Sequence, residues 1–138
     1  MADTDDEENE SVIKNQIIVT SWDNNLRFFD DDDPNHRFGE LRHQAAKHTQ
    51  QINFVDFKMM RSPNQNSKAD QGIIATAGDD GNIYIYNHSS HRIENVLSKD
   101  NHVEVKVCKF LQNTDCIVSA DMDGYLNFWA MTPHVCKA

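Results

Sequence analysis

Seven histidines and 22 acidic residues in a chain of 138 offer many side chains able to hold a metal or move a proton. Three groupings have a spacing that such chemistry can use. His88-Ser-Ser-His91 sets two imidazoles three positions apart, a loose version of a transition-metal ligand pair. A protein zinc site needs three or four converging ligands, and the sequence marks no third one beside this pair. Asp30-Asp31-Asp32-Asp33 supplies the oxygen ligands that calcium takes. It lacks the alternating ligand positions and the loop glycine of an EF-hand, so it reads as a solvated acidic loop able to dock a basic partner. Ser119, Asp123 and a histidine are the ingredients of a nucleophilic triad, but no Gly-x-Ser-x-Gly elbow exposes the serine. Neither G-x-G-x-x-G nor G-x-x-x-x-G-K-[ST] occurs. The residues predict no catalytic group, no cofactor and no metal.

The acids are better explained by the elements that carry them. Three segments, 17–30, 73–87 and 116–130, share one pattern. Aligned on Asp23, Asp80 and Asp123, the third position on holds Leu26, Ile83 and Leu126. The fifth holds Phe28, Ile85 and Phe128, and the sixth holds Phe29, Tyr86 and Trp129. Each copy reads as a hairpin, with a β-branched run, a turn and an aromatic-rich strand. A carboxylate before a tight turn accepts nearby backbone amides. Gly81 and Gly124 can take positive φ there, and Asn24 is the best non-glycine substitute. Ile83-Tyr84-Ile85-Tyr86 is apolar on both faces, and such a strand needs cover on both sides.

A further strand precedes two of the hairpins. Ile52, Val55 and Phe57 follow His48 by four, seven and nine positions, and Val105, Cys108 and Phe110 follow Asn101 by the same offsets. A fourth, weaker strand fits 92–97 and 37–43. Four strands per repeat is the composition of a propeller blade. Tyr86 and Trp129 are 43 positions apart, within the roughly 40–45 expected of such repeats. Phe29 and Tyr86 are 57 apart, which places an inserted polar loop at 59–71.

The formal charge of −9 is local. Six acids lie in residues 1–10 and four in 30–33, leaving twelve against 13 Lys and Arg elsewhere. The head, 1–15, is expected to be disordered, and the rest carries no basic field for nucleic acid. No apolar run approaches the roughly 18 residues of a membrane span, and residues 1–10 lack the apolar core of a secretory signal. Cys108, Cys116 and Cys136 form no C-x-x-C pair, and a disulfide framework is not expected.

These residues resemble the WD-repeat family, over about 16–130. The resemblance implies a buried set of His, Ser or Thr, Asp and Trp tying each blade together. In the second blade that set is His48, Thr76, Asp80 and Tyr86. In the third it is Ser119, Asp123 and Trp129, with Asn101 in the histidine's place and His102 one residue off. In the first, Val19 cannot donate a hydrogen bond and no network is expected. The Ser21-Trp22-Asp23 turn, Arg27-Phe-Phe-Asp30, the acidic loop and the third copy look like large WD-repeat proteins of the motile-cilium axoneme.

The expected fold is all-β, a partial propeller of about three blades with the first incomplete, spanning 16–138 in segments near 16–47, 48–100 and 101–138. The expected function is a non-catalytic scaffold for protein–protein interaction, structural in a cilium or axoneme. The alternative is a substrate adaptor of a machine such as a ubiquitin ligase. Implied partners are other proteins, including blades that complete the ring and axonemal microtubule-associated proteins, with no nucleic acid and no membrane. The location follows as cytoplasmic or cytoskeletal. Trp22, Asp31, Asp32 and Asp33 are the candidate partner contacts, although Trp22 also fits a role packing on a neighbouring loop. Ile17, Val19, Leu26 and Phe28 are expected to line an open face at the start, and Leu126, Phe128 and Trp129 one at the finish.

Overall fold

The computed structural model describes residues 16–30, 40–45, 47–60 and 71–131. The acidic head, Asp31 to Asp33 and Cys136 lie outside them. The described residues form ten strands and no helix: β1 (Gln16–Thr20), β2 (Leu26–Asp30), β3 (Glu40–Ala45), β4 (Ile52–Met60), β5 (Gln71–Gly78), β6 (Asn82–Asn87), β7 (Ile93–Ser98), β8 (Val105–Phe110), β9 (Cys116–Asp121) and β10 (Leu126–Ala130). They pair as three antiparallel meanders, β1-β2-β3, β4-β5-β6-β7 and β8-β9-β10. The protein is all-β, and the series of sheets is consistent with a partial β-propeller; no closed ring is formed among the described residues. β4 runs to Met60 and β5 starts at Gln71, so the inserted loop is shorter at both ends than the sequence suggests.

The three hairpin turns follow from local chemistry. Asn24, Gly81 and Gly124 stand at equivalent positions with φ of 70°, 82° and 85°, the left-handed region that glycine and asparagine tolerate best. Gly81 has a second constraint, because a Cβ there would meet the His102 backbone at 2.7 Å.

Packing has a direction. Leu26 and Phe28 of the first sheet pack on Ile74, Tyr84 and Tyr86 of the second. Ile83 and Ile85, the repeat equivalents of Leu26 and Phe28, pack on Val105, Cys108, Phe110, Ile117 and Trp129 of the third. The same face of each sheet therefore looks toward the next sheet in sequence. This corrects the expected open faces. Leu26 and Phe28 are fully buried, while Ile17 and Val19, on the alternate phase, stay exposed. At the far end Leu126 and Phe128 are exposed, while Trp129 turns inward to the core. Period-two alternation separates a strand's two faces; it does not say which one meets the next sheet.

Polar side chains on β4 stitch the second sheet to the third. Asn53 Nδ2 donates to the Val105 carbonyl at 2.9 Å, the Phe110 amide donates to Asp56 Oδ2 at 2.8 Å, and Lys58 Nζ donates to the Leu111 and Thr114 carbonyls. Each satisfies a group that would otherwise be left unpaired between sheets.

The stack direction gives a paired expectation. Phe28→Ala should cost about 3–5 kcal/mol, whereas Phe128→Ala, at the same repeat position but 66% exposed, should stay within about 0.5 kcal/mol. Urea unfolding of both variants checks this, and equal effects would contradict the directional stack.

Candidate functional site

The most connected polar group lies in the second sheet. His48, just ahead of β4, and Thr76, on β5, are both buried. His48 Nε2 lies 2.7 Å from Thr76 Oγ1, and Nδ1 lies 3.0 Å from both oxygens of Asp80. A carboxylate only accepts, so Nδ1 carries the proton, and in the neutral ring Nε2 accepts from the threonine hydroxyl. Asp80 also accepts the Thr49 amide at 3.1 Å and the Asn82 amide at 3.1 Å. It thus ties the entry to β4 and the β5–β6 turn together. Burial pushes its carboxyl up, but the His48 hydrogen bond and the two amides outweigh this and hold it below the ordinary range.

Tyr86, expected to be the fourth member, does not join. Its hydroxyl is buried and has no hydrogen-bond partner among the described residues. Burial raises it to about 12, and the nearby Thr76 hydroxyl opposes this only in part. Its ring instead fills the interface with the first sheet. Gly78 is a member that the pattern missed. A Cβ there would meet His48 Nδ1 at 2.4 Å and Asp80 Oδ1 at 3.0 Å, so the imidazole fits only against a glycine.

The third sheet solves the same problem differently. Trp129 Nε1 donates to Ser119 Oγ at 2.8 Å. Asp123 is exposed, and its carboxylate accepts no side-chain or backbone donor among the described residues. The acid that ties this turn is Asp121, two positions earlier. Its Oδ1 accepts the Asp123 and Tyr125 amides, each at 3.1 Å, and its Oδ2 accepts Asn127 Nδ2 at 3.0 Å and Lys99 Nζ at 3.1 Å. The Asn127 hydrogen bond foremost, with the Tyr125 amide and the Lys99 ammonium, holds its carboxyl down to about 2 against burial. Asp121 occupies the repeat position of Gly78. The absence of the histidine explains it: with no imidazole to admit, that position can carry a carboxylate. His102 is exposed, its φ is 50°, and its amide donates to the Lys99 carbonyl at 3.2 Å. It plays no part beside Ser119.

In the first sheet, Asp23 pairs with both guanidinium nitrogens of Arg27 and accepts the Asn25 amide at 3.2 Å. The Arg27 hydrogen bonds hold its carboxyl at about 2. Ser21, at the Gly78 position, lies 3.5 Å from the Asp23 amide through Oγ. Beside this turn, Trp22 is 72% exposed.

The other groupings have structural employment. His91 lies against the Phe28 ring with centroids 4.4 Å apart, and His88 lies edge-on to Phe57 at 5.5 Å with Nε2 2.5 Å from Gln16 Oε1. The pair closes the rim between the first two sheets. Among the described residues no three His, Cys, Asp or Glu side chains converge on a metal position. A cleft of about 400 Å³ opens along β4 and β8, but Asp56 and Lys58 within it are engaged in the cross-sheet bonds. Cys108 is buried and free, and burial, with the Asp56 charge, raises its thiol to about 12, far from thiolate chemistry. Cys116 is disulfide-bonded, where the sequence offers no reason to expect a disulfide framework.

Together these features define an all-β protein of repeated sheets whose marked polar residues tie turns and join sheets. No protein-family model matches the chain. It is 32% identical over 71 residues to "Probable cytosolic iron-sulfur protein assembly protein 1" of Vanderwaltozyma polyspora. That match covers 46% of this chain and 20% of the relative, so the chain spans about a fifth of the length of the curated relative it matches. The match and the all-β fold are compatible with the WD-repeat family.

Two outcomes follow. Asp80→Ala leaves the His48 imidazole and two amides without their acceptor and should cost on the order of 1–3 kcal/mol; Gly78→Ala should be destabilising too, by displacing the ring. An unchanged denaturation midpoint for both would remove the network from the fold. Secondly, Asp80 and Asp121 both titrate below the unfolded value of 3.8. Their contribution is therefore complete above about pH 5 and is lost as pH falls below the unfolded value, for Asp121 toward about 2. Asp121→Asn should show a shallower stability loss over that range in unfolding measured by circular dichroism.

Proposed function

We propose that this chain is a non-catalytic WD-repeat scaffold that mediates protein–protein interaction as part of a larger propeller. The observation that carries the reading is the buried His48–Thr76–Asp80 set. It puts an imidazole, a hydroxyl and a carboxylate within bonding distance and uses all three to join a strand entry to a turn. A general base needs access to substrate, and this imidazole is sealed in the core. The partial match to a relative described as cytosolic supports a cytoplasmic setting.

The finer reading is a structural role in a ciliary axoneme, with axonemal microtubule-associated proteins among the partners. Its support is the likeness of the Ser21-Trp22-Asp23 turn and of the third repeat. The partner contact in this reading centres on Trp22, whose exposed indole offers the kind of aromatic anchor that dominates interfaces. The remaining partners are blades that cover the open faces at Ile17 and Val19 and at Leu126 and Phe128.

Two measurements test this. Sedimentation of the isolated chain at micromolar concentration should show association, since Ile17 and Val19 at one end and Leu126 and Phe128 at the other are exposed and contiguous apolar surface favours association; a compact, cooperatively unfolding monomer would contradict the need for covering blades. Tagged chain in ciliated cells should decorate axonemes, and a diffuse distribution would remove the ciliary role while leaving the scaffold reading in place.

A further inference from the structure

Two Asp-Gly pairs occur in the sequence, Asp80–Gly81 and Asp123–Gly124, at equivalent places in the turns of the second and third sheets. Their backbones match. Gly81 and Gly124 have φ of 82° and 85°, and each amide donates to the carbonyl three residues back, Gly81 to Gly78 at 3.2 Å and Gly124 to Asp121 at 3.1 Å. The turns differ in what holds the carboxylate. We propose that Asp123–Gly124 is a modification site, where the backbone isomerises through a cyclic imide to an isoaspartyl linkage, the substrate of a carboxyl methyltransferase that uses S-adenosylmethionine. Asp80–Gly81 is locked against the same reaction.

The chemistry needs only the two residues and water. Glycine favours it, because no side chain hinders approach to its own nitrogen. The Gly124 nitrogen attacks the carboxyl carbon of Asp123 in its acid form. A nitrogen–carbon bond forms, the nitrogen gives up its proton, and the carboxyl hydroxyl leaves with a proton as water. Water then opens the imide at either carbonyl. Opening at the side-chain carbonyl restores aspartate. Opening at the main-chain carbonyl leaves the chain running through the side chain and frees an α-carboxylate. One water leaves and one returns, so no oxidant or reductant is consumed. The methyl group of the donor then passes to an oxygen of the new carboxylate, and the sulfonium becomes a thioether.

The carboxyl group must be free to turn onto the amide, and the two acids differ in that freedom. Asp80 is gripped by His48 Nδ1, 3.0 Å from both its oxygens, and by the Thr49 and Asn82 amides at 3.1 Å each. The same hydrogen bonds favour its carboxylate form, which has no hydroxyl to lose. Asp123 is exposed, and its carboxylate has no partner among the described residues. The positions that grip Asp80 are occupied in the third sheet but bond elsewhere or differ in type. Asn101 stands in place of His48, the His102 amide donates to the Lys99 carbonyl, and the Tyr125 amide donates to Asp121. No partner of the Asp80 carboxylate comes from the following sheet, so the contrast is set within each sheet. In the first sheet the acid precedes Asn24 instead of glycine and is held by Arg27.

The change has a structural consequence. Leu126 pairs with Ala120 and Trp129 with Ile117 across this turn. An isoaspartyl link adds a methylene carbon to the backbone between them, which loosens β10 and the exposed Leu126 and Phe128 that it carries.

The test ages the full chain at neutral pH and body temperature over weeks, beside a sample unfolded in guanidinium chloride. Isoaspartate is detected by an isoaspartyl methyltransferase with labelled S-adenosylmethionine. It is located, after reduction and trypsin digestion, by electron-transfer fragmentation, which distinguishes the two linkages. In the folded chain isoaspartate should form at 123 about tenfold faster than at 80 or more, because the hydrogen bonds on Asp80 must break before it reacts. In the unfolded chain the two rates should converge. Asp123→Ser should remove most methyl acceptance from the tryptic peptide 110–137. Equal rates in the folded chain, no isoaspartate at 123, a difference that persists on unfolding, or unchanged methyl acceptance in Asp123→Ser would each overturn the proposal.

Discussion

A sheet that is apolar on both faces is stable only between two others, and every feature of this chain bends to that constraint. The second sheet satisfies it. Ile83 and Ile85 are covered by the third sheet, and Ile74, Tyr84 and Tyr86 by the first. The outer sheets satisfy it on one side each. Because the same repeat positions always face forward, the two open faces differ in composition. One presents Ile17 and Val19, the other Leu126 and Phe128. Such a stack is heterologous by construction and extends head to tail. Ring closure, not pairwise dimerisation, is the arrangement that leaves no face uncovered.

The polar residues follow from the same constraint. Buried between apolar faces, each donor or acceptor must be matched inside the protein. Cross-sheet bonds from Asn53, Asp56 and Lys58 fix how far one sheet slides over the next, which dispersion contacts alone leave loosely defined. The His48–Asp80 pair does the corresponding work within a sheet, fastening the incoming strand to the far turn.

Much of this was legible from the sequence because it is local and repeated. The hairpins were visible in the shared offsets from Asp23, Asp80 and Asp123, since turn chemistry and period-two alternation act over a few residues. The partnership of His48, Thr76 and Asp80, 32 positions apart at its widest, could be seen only through the family pattern. Two things were hidden. The direction of stacking was one, because alternation makes two equivalent faces and tertiary assembly chooses between them. The other was the acid that holds the third turn. Asp121 and Asp123 have the same chemistry two positions apart, and alignment on the residue before glycine selects the wrong one. The usable signal was Asn127 and Lys99, both able to reach Asp121.

Gly78, Asp121 and Ser21 show how one position adapts to what its sheet lacks. Where His48 is present, the position is glycine, because a Cβ would fall within 2.4 Å of the ring. Where Asn101 stands in the histidine's place it is Asp121, whose carboxylate accepts the amide two residues on at 3.1 Å, and in the first sheet it is Ser21, 3.5 Å from the Asp23 amide. The turn needs an acceptor for its amides in every copy. Asp80 supplies it in the second sheet, held by the imidazole, and Asp23 supplies it in the first, held by Arg27. Freed of the imidazole, Asp123 swings to solvent and the acceptor moves two residues upstream. The partner that holds the acid before the turn, His48 in the second sheet and Arg27 in the first, thus keeps that carboxylate structural, and where neither is present Asp121 takes over.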